Sequence, residues 1–256
     1  MGKLKNLGSK LLAGPYVIWM LLFTVIPLGL IIYNGFTNSD GRFTFKYVAA
    51  IADPVNAKPL LLSFEMSLIV TVVCLLLAFP LAVILSKYST DKNSFIVMIF
   101  ILPMWMNFML RTLAWRLILL NNGFLNQFLT MLGLSKVYLM NTKAAIIFGT
   151  AYDYFPFMVL PIYNAVVKID KDVINAAKDL GATNSVVLRK IILPLSVPGI
   201  VSGITMVLVP SMSEFVIADM LGGGKIYLIG NAIEQAFNSG YADVHAGSGP
   251  VSYTHL

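Results

Sequence analysis

One cysteine, two histidines and few charges withhold most familiar chemistry from this 256-residue chain. Cys74 stands alone, so no internal disulfide can form, and its place in an apolar run suits a small buried side chain. His245 and His255 lie in the tail, and no cluster at metal-ligand spacing accompanies them. The pattern Gly-x4-Gly-Lys-Ser/Thr is missing, so the chain does not bind ATP through a Walker A loop. No serine–lysine dyad or metal motif falls on the apolar segments, which leaves an intramembrane enzyme without its catalytic pair. Only 12% of residues are charged while 58% are hydrophobic, with mean hydropathy +0.81. That balance excludes an ordinary soluble domain. Strand-period alternation is also missing, which argues against a barrel.

Long apolar runs are what the chain has instead. Residues 11–39, 66–86, 93–110 and 191–213 are charge-free, and each can cross about 30 Å of hydrocarbon as a helix. Residues 144–167 add one more run, the fourth in chain order, interrupted only by Asp153. The first follows Lys3, Lys5 and Lys10 but is too long for a signal peptide and lacks a cleavage site. It is expected to be an uncleaved anchor with a cytoplasmic N-terminus. Segments assigned inside carry ten Lys and Arg. Those assigned outside carry six, or eight when Arg111 and Arg116 are placed at the outer end of the third run. This is a modest positive-inside bias. The net charge of +6 fits an anionic inner leaflet, with no nucleic-acid signature.

The acidic residues in or beside these runs are candidate pathway groups. Glu65 precedes the second run, Asp153 lies near the middle of the fourth, and Glu214 and Asp219 follow the fifth on the outer side. A carboxylate at mid-depth costs roughly 2.5–3.5 kcal/mol on insertion scales, so Asp153 needs a partner or a wet cavity. Tyr152 and Tyr154 flank it. Carboxylates with aromatic faces suit an organic ammonium ion, and a helix–helix hydrogen bond is the competing role for Asp153. Basic residues are expected only in loops and rims. Pro80, Pro103, Pro156, Pro161 and Pro210 fall inside the runs and predict kinks.

Between the fourth and fifth runs, residues 168–190 are polar. Ile169, Val173, Ile174, Ala177 and Leu180 recur at helical spacing, which predicts a short amphipathic helix. Ala176 and Ala177 keep one side of it thin, and Gly181 can take the left-handed conformation that ends a helix.

Asn175-Ala176-Ala177-Lys178-Asp179-Leu180-Gly181, nine further residues and Ile191-Ile192-Leu193-Pro194 resemble the EAA loop of ABC importer permeases, Glu-Ala-Ala-x3-Gly-x9-Ile-x-Leu-Pro. Asn175 in place of the glutamate is the one departure. The resemblance implies that Asn175, Ala176, Ala177, Asp179, Gly181, Ile191, Leu193 and Pro194 belong to a loop that docks a cytoplasmic ATPase. Five blocks are similar to the spermidine/putrescine importer group. Leu102-Pro103-Met104-Trp105 leading to Leu110-Arg111-Thr112 is the first, and Leu160-Pro161-Ile162-Tyr163 the second. The loop itself is the third, followed by Glu214-Phe215-Val216-Ile217 with Leu221-Gly222-Gly223, and Ile229-Gly230-Asn231.

The implied architecture is an all-α integral membrane protein with a type I ABC permease core at 62–249, after an N-terminal helix and outer loop at 1–61. Five spans are present and a sixth is expected beyond Gly249, with residues 250–256 a non-native tail. The implied partners are an ABC ATPase dimer that carries the ATP, a second permease, an extracytoplasmic binding protein and the lipid bilayer of a bacterial cytoplasmic membrane. The chain itself is expected to hold no cofactor.

Overall fold

A computed structural model describes residues 14–50, 54–88 and 102–238, together with 245, 247, 248, 250 and 251. Lys3, Lys5, Lys10 and the last five residues of the expected tail lie outside the described residues. The chain divides into two units, Met1–Lys58 with Ala232–Leu256, and Pro59–Asn231. Among the described residues the structure is helical, and its β pairing is one isolated bridge between Thr37 and Phe43.

In the first unit, helix α1 (Gly14–Gly35) is apolar on every side and its most hydrophobic stretch buries nothing within the chain. That is the pattern of a helix solvated by lipid. It widens into a π turn at Leu21–Val25, where the Ile26 N–H donates to the Leu21 carbonyl. Pro27 follows. Proline has no N–H and its ring crowds the carbonyl four residues back, so a wider turn just before it relieves the clash. After α1 the chain reverses through Asn38 and Arg42, with the Phe36, Phe43 and Phe45 rings clustered 5.0–6.0 Å apart.

Helix α2 (Pro54–Tyr88) leads into the second unit, whose further elements are α3 (Phe108–Leu119), α4 (Phe124–Met131), α5 (Lys143–Val167), α6 (Lys171–Asp179), α7 (Asn184–Met212) and α8 (Val216–Gly222). Helix α9 (Ile229–Asn238) begins at its end. The core forms where α2, α5 and α7 meet. Val70, Cys74, Ala78 and Ala82 recur every four residues and so line one face of α2. They pack with Met158, Val159, Ile162 and Val166 of α5 and Val207 of α7. Glycines bring α5 and α7 together: a Cβ at Gly199 would lie 2.5 Å from the Pro161 carbonyl oxygen, and one at Gly203 2.7 Å from the Met158 sulfur. Close approach at small residues is how helices associate in a medium that offers no hydrophobic drive. Polar side chains on the buried face of α2 are satisfied locally, Ser67 donating to Phe64 and Thr71 to Ser67.

Among the described residues, α1, Asn56–Lys87 within α2, α5 and α7 are long and apolar enough to cross a membrane. The expected run 93–110 is described only from residue 102, and the described part is not one helix. A helical turn over residues 102–105 ends at Met106, and Asn107 caps α3 by accepting from the Met109 and Leu110 N–H groups at 2.9 and 3.3 Å. Helix α2 also begins twelve residues before the expected start at Met66, because Lys58 and Glu65 end an apolar run without ending a helix. The prolines inside α2, α5 and α7 do not interrupt them. Ahead of Pro194, α7 repeats the device of α1: a π turn at Leu188–Ile192, with the Leu193 N–H donating to the Leu188 carbonyl.

Candidate functional site

The predicted amphipathic helix is α6. Asp170 caps its start, accepting from the Asp172 N–H at 2.9 Å. Its end is a Schellman motif: the Ala182 N–H reaches the Ala177 carbonyl at 3.0 Å, the Gly181 N–H reaches Lys178 at 2.8 Å, and Gly181 has φ +83°. Ile169, Ile174, Ala177 and Ala182 turn toward the core, while Asn175, Ala176, Asp179, Leu180 and Gly181 face outward. Only Ala176 of the two alanines therefore thins the outer face, and Ala177 seats the helix. Leu180 is 89% exposed. Ile191 packs on the core, and Leu193 and Pro194 are exposed just after the π turn of α7. A cavity of about 680 Å3 opens beside α6, with Val166, Ile174 and Ile192 in its apolar wall and Lys87, Lys171 and Lys178 around it.

The second candidate is a cavity of about 350 Å3 lined by Met104, Met106, Phe108, Arg111, Asp153, Tyr154, Phe157 and Glu214. Asp153 has the partner its depth demands, but the partner is Arg111. The Nε of Arg111 lies 2.5 Å from Oδ1 of Asp153, and the two side chains are 9% and 8% exposed. Arg111 was expected at the outer rim; it is instead buried, because α3 packs against α5 and delivers the guanidinium to the carboxylate. Basic residues are thus not confined to loops and rims. Thr112 donates to the other Asp153 oxygen at 3.4 Å. Arg111 also donates to the Pro103 carbonyl, and its guanidinium lies 5.8 Å from the centre of the Tyr152 ring.

Glu214 occupies the break between α7 and α8. Its Oε1 accepts from the Ile217 N–H at 3.1 Å, which caps α8, and its Oε2 accepts from the Tyr154 hydroxyl at 3.2 Å. Of the pathway candidates, then, Asp153, Tyr154 and Glu214 share the cavity. Tyr152 does not line it; its ring meets Trp115 edge-on at 5.2 Å. Glu65 is exposed on α2, 3.8 Å from Lys143. Asp219 accepts from the Asn231 side chain at 2.7 Å, joining α8 to the start of α9. Arg111, Phe108, Phe157 and the two methionines were missed. One signal was available for Arg111: an arginine directly at the end of one apolar run and an aspartate inside another each call for a countercharge.

The family model for the inner membrane component of binding-protein-dependent transport systems matches residues 26–249 of this chain. A spermidine/putrescine transport system permease protein PotB from Salmonella typhi is 37% identical over 227 residues, covering 86% of this chain and 79% of the relative. The protein of the same name from Escherichia coli K12 is 36% identical, covering 86% and 82%. That from Haemophilus influenzae is 34% identical over 242 residues, covering 91% and 85%. In solved structures, a bacterial ABC transporter involved in the import of the acidic polysaccharide alginate matches with a TM-score of 0.67 at 18% identity, covering 98% of this chain and 93% of that one. A bacterial alginate ABC transporter in complex with an alginate pentasaccharide-bound periplasmic protein matches with the same TM-score at 19% identity, covering 97% and 88%. At these identities the structural likeness bears on the fold.

Proposed function

The chain belongs to the family of inner membrane components of binding-protein-dependent transport systems, and from that premise we propose that it passes a polyamine such as spermidine or putrescine inward. It is a multi-pass inner-membrane permease subunit of an ABC importer rather than an enzyme. The observation that carries the substrate reading is the cavity holding Asp153 and Glu214 beside the rings of Phe108, Tyr154 and Phe157. An organic cation leaving water needs countercharge and a polarisable wall. Two carboxylates against the one arginine leave the cavity a net negative charge beside three rings, and the relatives named for spermidine and putrescine support the same class. A different small organic amine would use the same groups and is the second reading.

In this proposal ATP stays on a partner ATPase dimer, which docks on the outward face of α6 with the chain's N-terminus on the same side of the membrane. A second permease completes the passage, and a periplasmic binding protein delivers the substrate. Because Ile174 and Ala177 bed α6 on the core built from α2 and α5, a push on α6 moves the packed helices together rather than deforming a loop. An ion-driven secondary transporter would leave the pattern from Asn175 to Pro194 unexplained. The test is uptake of labelled putrescine and spermidine into proteoliposomes holding the chain with its ATPase, second permease and binding protein. ATP-dependent uptake is expected. Uptake of an anion such as sulfate without polyamine uptake would overturn the substrate reading.

A further inference from the structure

We propose that Arg111 is the resting countercation of Asp153 and that a substrate ammonium group displaces it, so that the guanidinium decides which cations the cavity accepts. The inference rests on the polyamine reading of the same cavity.

A permanent structural pair in an apolar setting would be expected as a two-pronged fork with each polar atom satisfied, since geometry and full hydrogen bonding are what offset the loss of water. The Arg111–Asp153 pair is different. Nε lies 2.5 Å from Oδ1, and among the described residues neither of these two atoms makes an aligned hydrogen bond. Charge holds the two groups together while the directional bond is poor. Both side chains also line the cavity, but Oδ1 itself is buried, so an ammonium group meets it only as Arg111 moves aside.

The guanidinium has a second seat. It already donates to the Pro103 carbonyl and lies 5.8 Å from the centre of the Tyr152 ring. If Asp153 were taken by an ammonium group, Arg111 would lose its anion but keep a carbonyl acceptor and a cation–π face. An ammonium carries three donors on a compact charge and can align one of them with Oδ1, which the guanidinium in its present pose does not. Asp153 exchanges one cationic partner for another that aligns better, and the net charge of the cavity rises by the charge of the ammonium group, which Glu214 faces from the same cavity. A neutral amine or an anion gains nothing by it. The retained pair therefore screens them out, and the resting cavity is spared a naked carboxylate.

The test measures binding of labelled putrescine to the purified permease–ATPase complex in detergent, without the binding protein, normalised to assembled complex. Arg111→Gln removes the competitor and should tighten putrescine binding by about tenfold, or about 1.4 kcal/mol. Asp153→Asn should abolish it, and adding Arg111→Gln to Asp153→Asn should restore nothing. Should Arg111→Gln fail to assemble, Tyr152→Leu tests the same idea with the opposite sign. It removes the second seat, leaves the guanidinium on Asp153 and should weaken putrescine binding several-fold. Binding per assembled complex unchanged in Arg111→Gln, or in Tyr152→Leu where that variant stands in, refutes the exchange and makes the pair purely structural. Wild-type transporter that takes up neither putrescine nor spermidine refutes the polyamine reading itself, and the exchange with it.

Discussion

Replacing Gly181 with valine tests whether the end of α6 transmits force. Gly181 sits at φ +83°, and a Cβ built there would meet nothing within 4 Å. The chain itself therefore offers no clash, and the whole intramolecular cost is backbone. A left-handed conformation costs an L-residue about 1–2 kcal/mol, and a β-branched side chain resists it further. Against this stand two hydrogen bonds, Ala182 to Ala177 and Gly181 to Lys178. Each is worth about 0.5–1.5 kcal/mol net, so the Schellman end is held by a margin comparable with the penalty. A loss of 1–2 kcal/mol lowers the ratio of closed to open helix ends by a factor of about 5–30. With about 1 kcal/mol per bond, a loss at the upper end brings closed and open ends to near parity, so substrate-stimulated ATP hydrolysis by the reconstituted importer should fall by up to about half in Gly181→Val. Gly181→Asn should stay near wild type, because asparagine tolerates positive φ. Wild-type hydrolysis in Gly181→Val would refute the claim that this helix end couples the subunits. Equal damage from asparagine and valine would refute the backbone argument and place a side-chain-excluding contact there instead.

Gly199→Ala should wedge α5 from α7, since its Cβ would lie 2.5 Å from the Pro161 carbonyl oxygen and 2.6 Å from the Ala165 Cβ. Overpacking of this kind costs about 1–3 kcal/mol; a lower melting temperature of the detergent-solubilised protein is expected, and an unchanged one would mean the interface can relax. Glu65→Gln removes an exposed pair with Lys143 at 3.8 Å, and such pairs contribute about 0–1 kcal/mol. Putrescine uptake and expression should both stay at wild-type level, and a loss of uptake would return Glu65 to the pathway. Ser63→Ala takes the acceptor from the buried Ile229 N–H, now bonded at 2.9 Å. A stranded buried donor costs about 1–3 kcal/mol, which thermal denaturation should detect, and no shift would mean that water or another acceptor replaces the hydroxyl.

Membrane location could be read from the sequence because it follows from run length and composition, which tertiary packing does not alter. Helix α6 and its glycine terminus were legible for a related reason, since periodicity and a left-handed end are properties of consecutive residues; of the periodic set Ile169, Ile174 and Ala177 turn inward, while Val173 and Leu180 are exposed. Boundaries were less so. Charge-free runs report where lipid is tolerated, whereas a helix stops where its hydrogen bonds are capped. Hence α2 begins at Pro54 and α3 at the cap supplied by Asn107.

The site divides the same way. The need of Asp153 for a partner followed from its depth alone, but the choice of Arg111 did not, because pairing residues 111 and 153 depends on how α3 packs against α5. Glu214, Asp219 and Glu65 look alike in sequence, all acidic and all beside apolar runs. Tertiary structure sends Glu214 to the cavity with Tyr154, Asp219 to Asn231 and Glu65 to the surface with Lys143. Sequence specifies which charges must be compensated, through the cost of burying them. Only the packed helices decide by whom, since electrostatic compensation acts over a few ångströms of space and not along the chain.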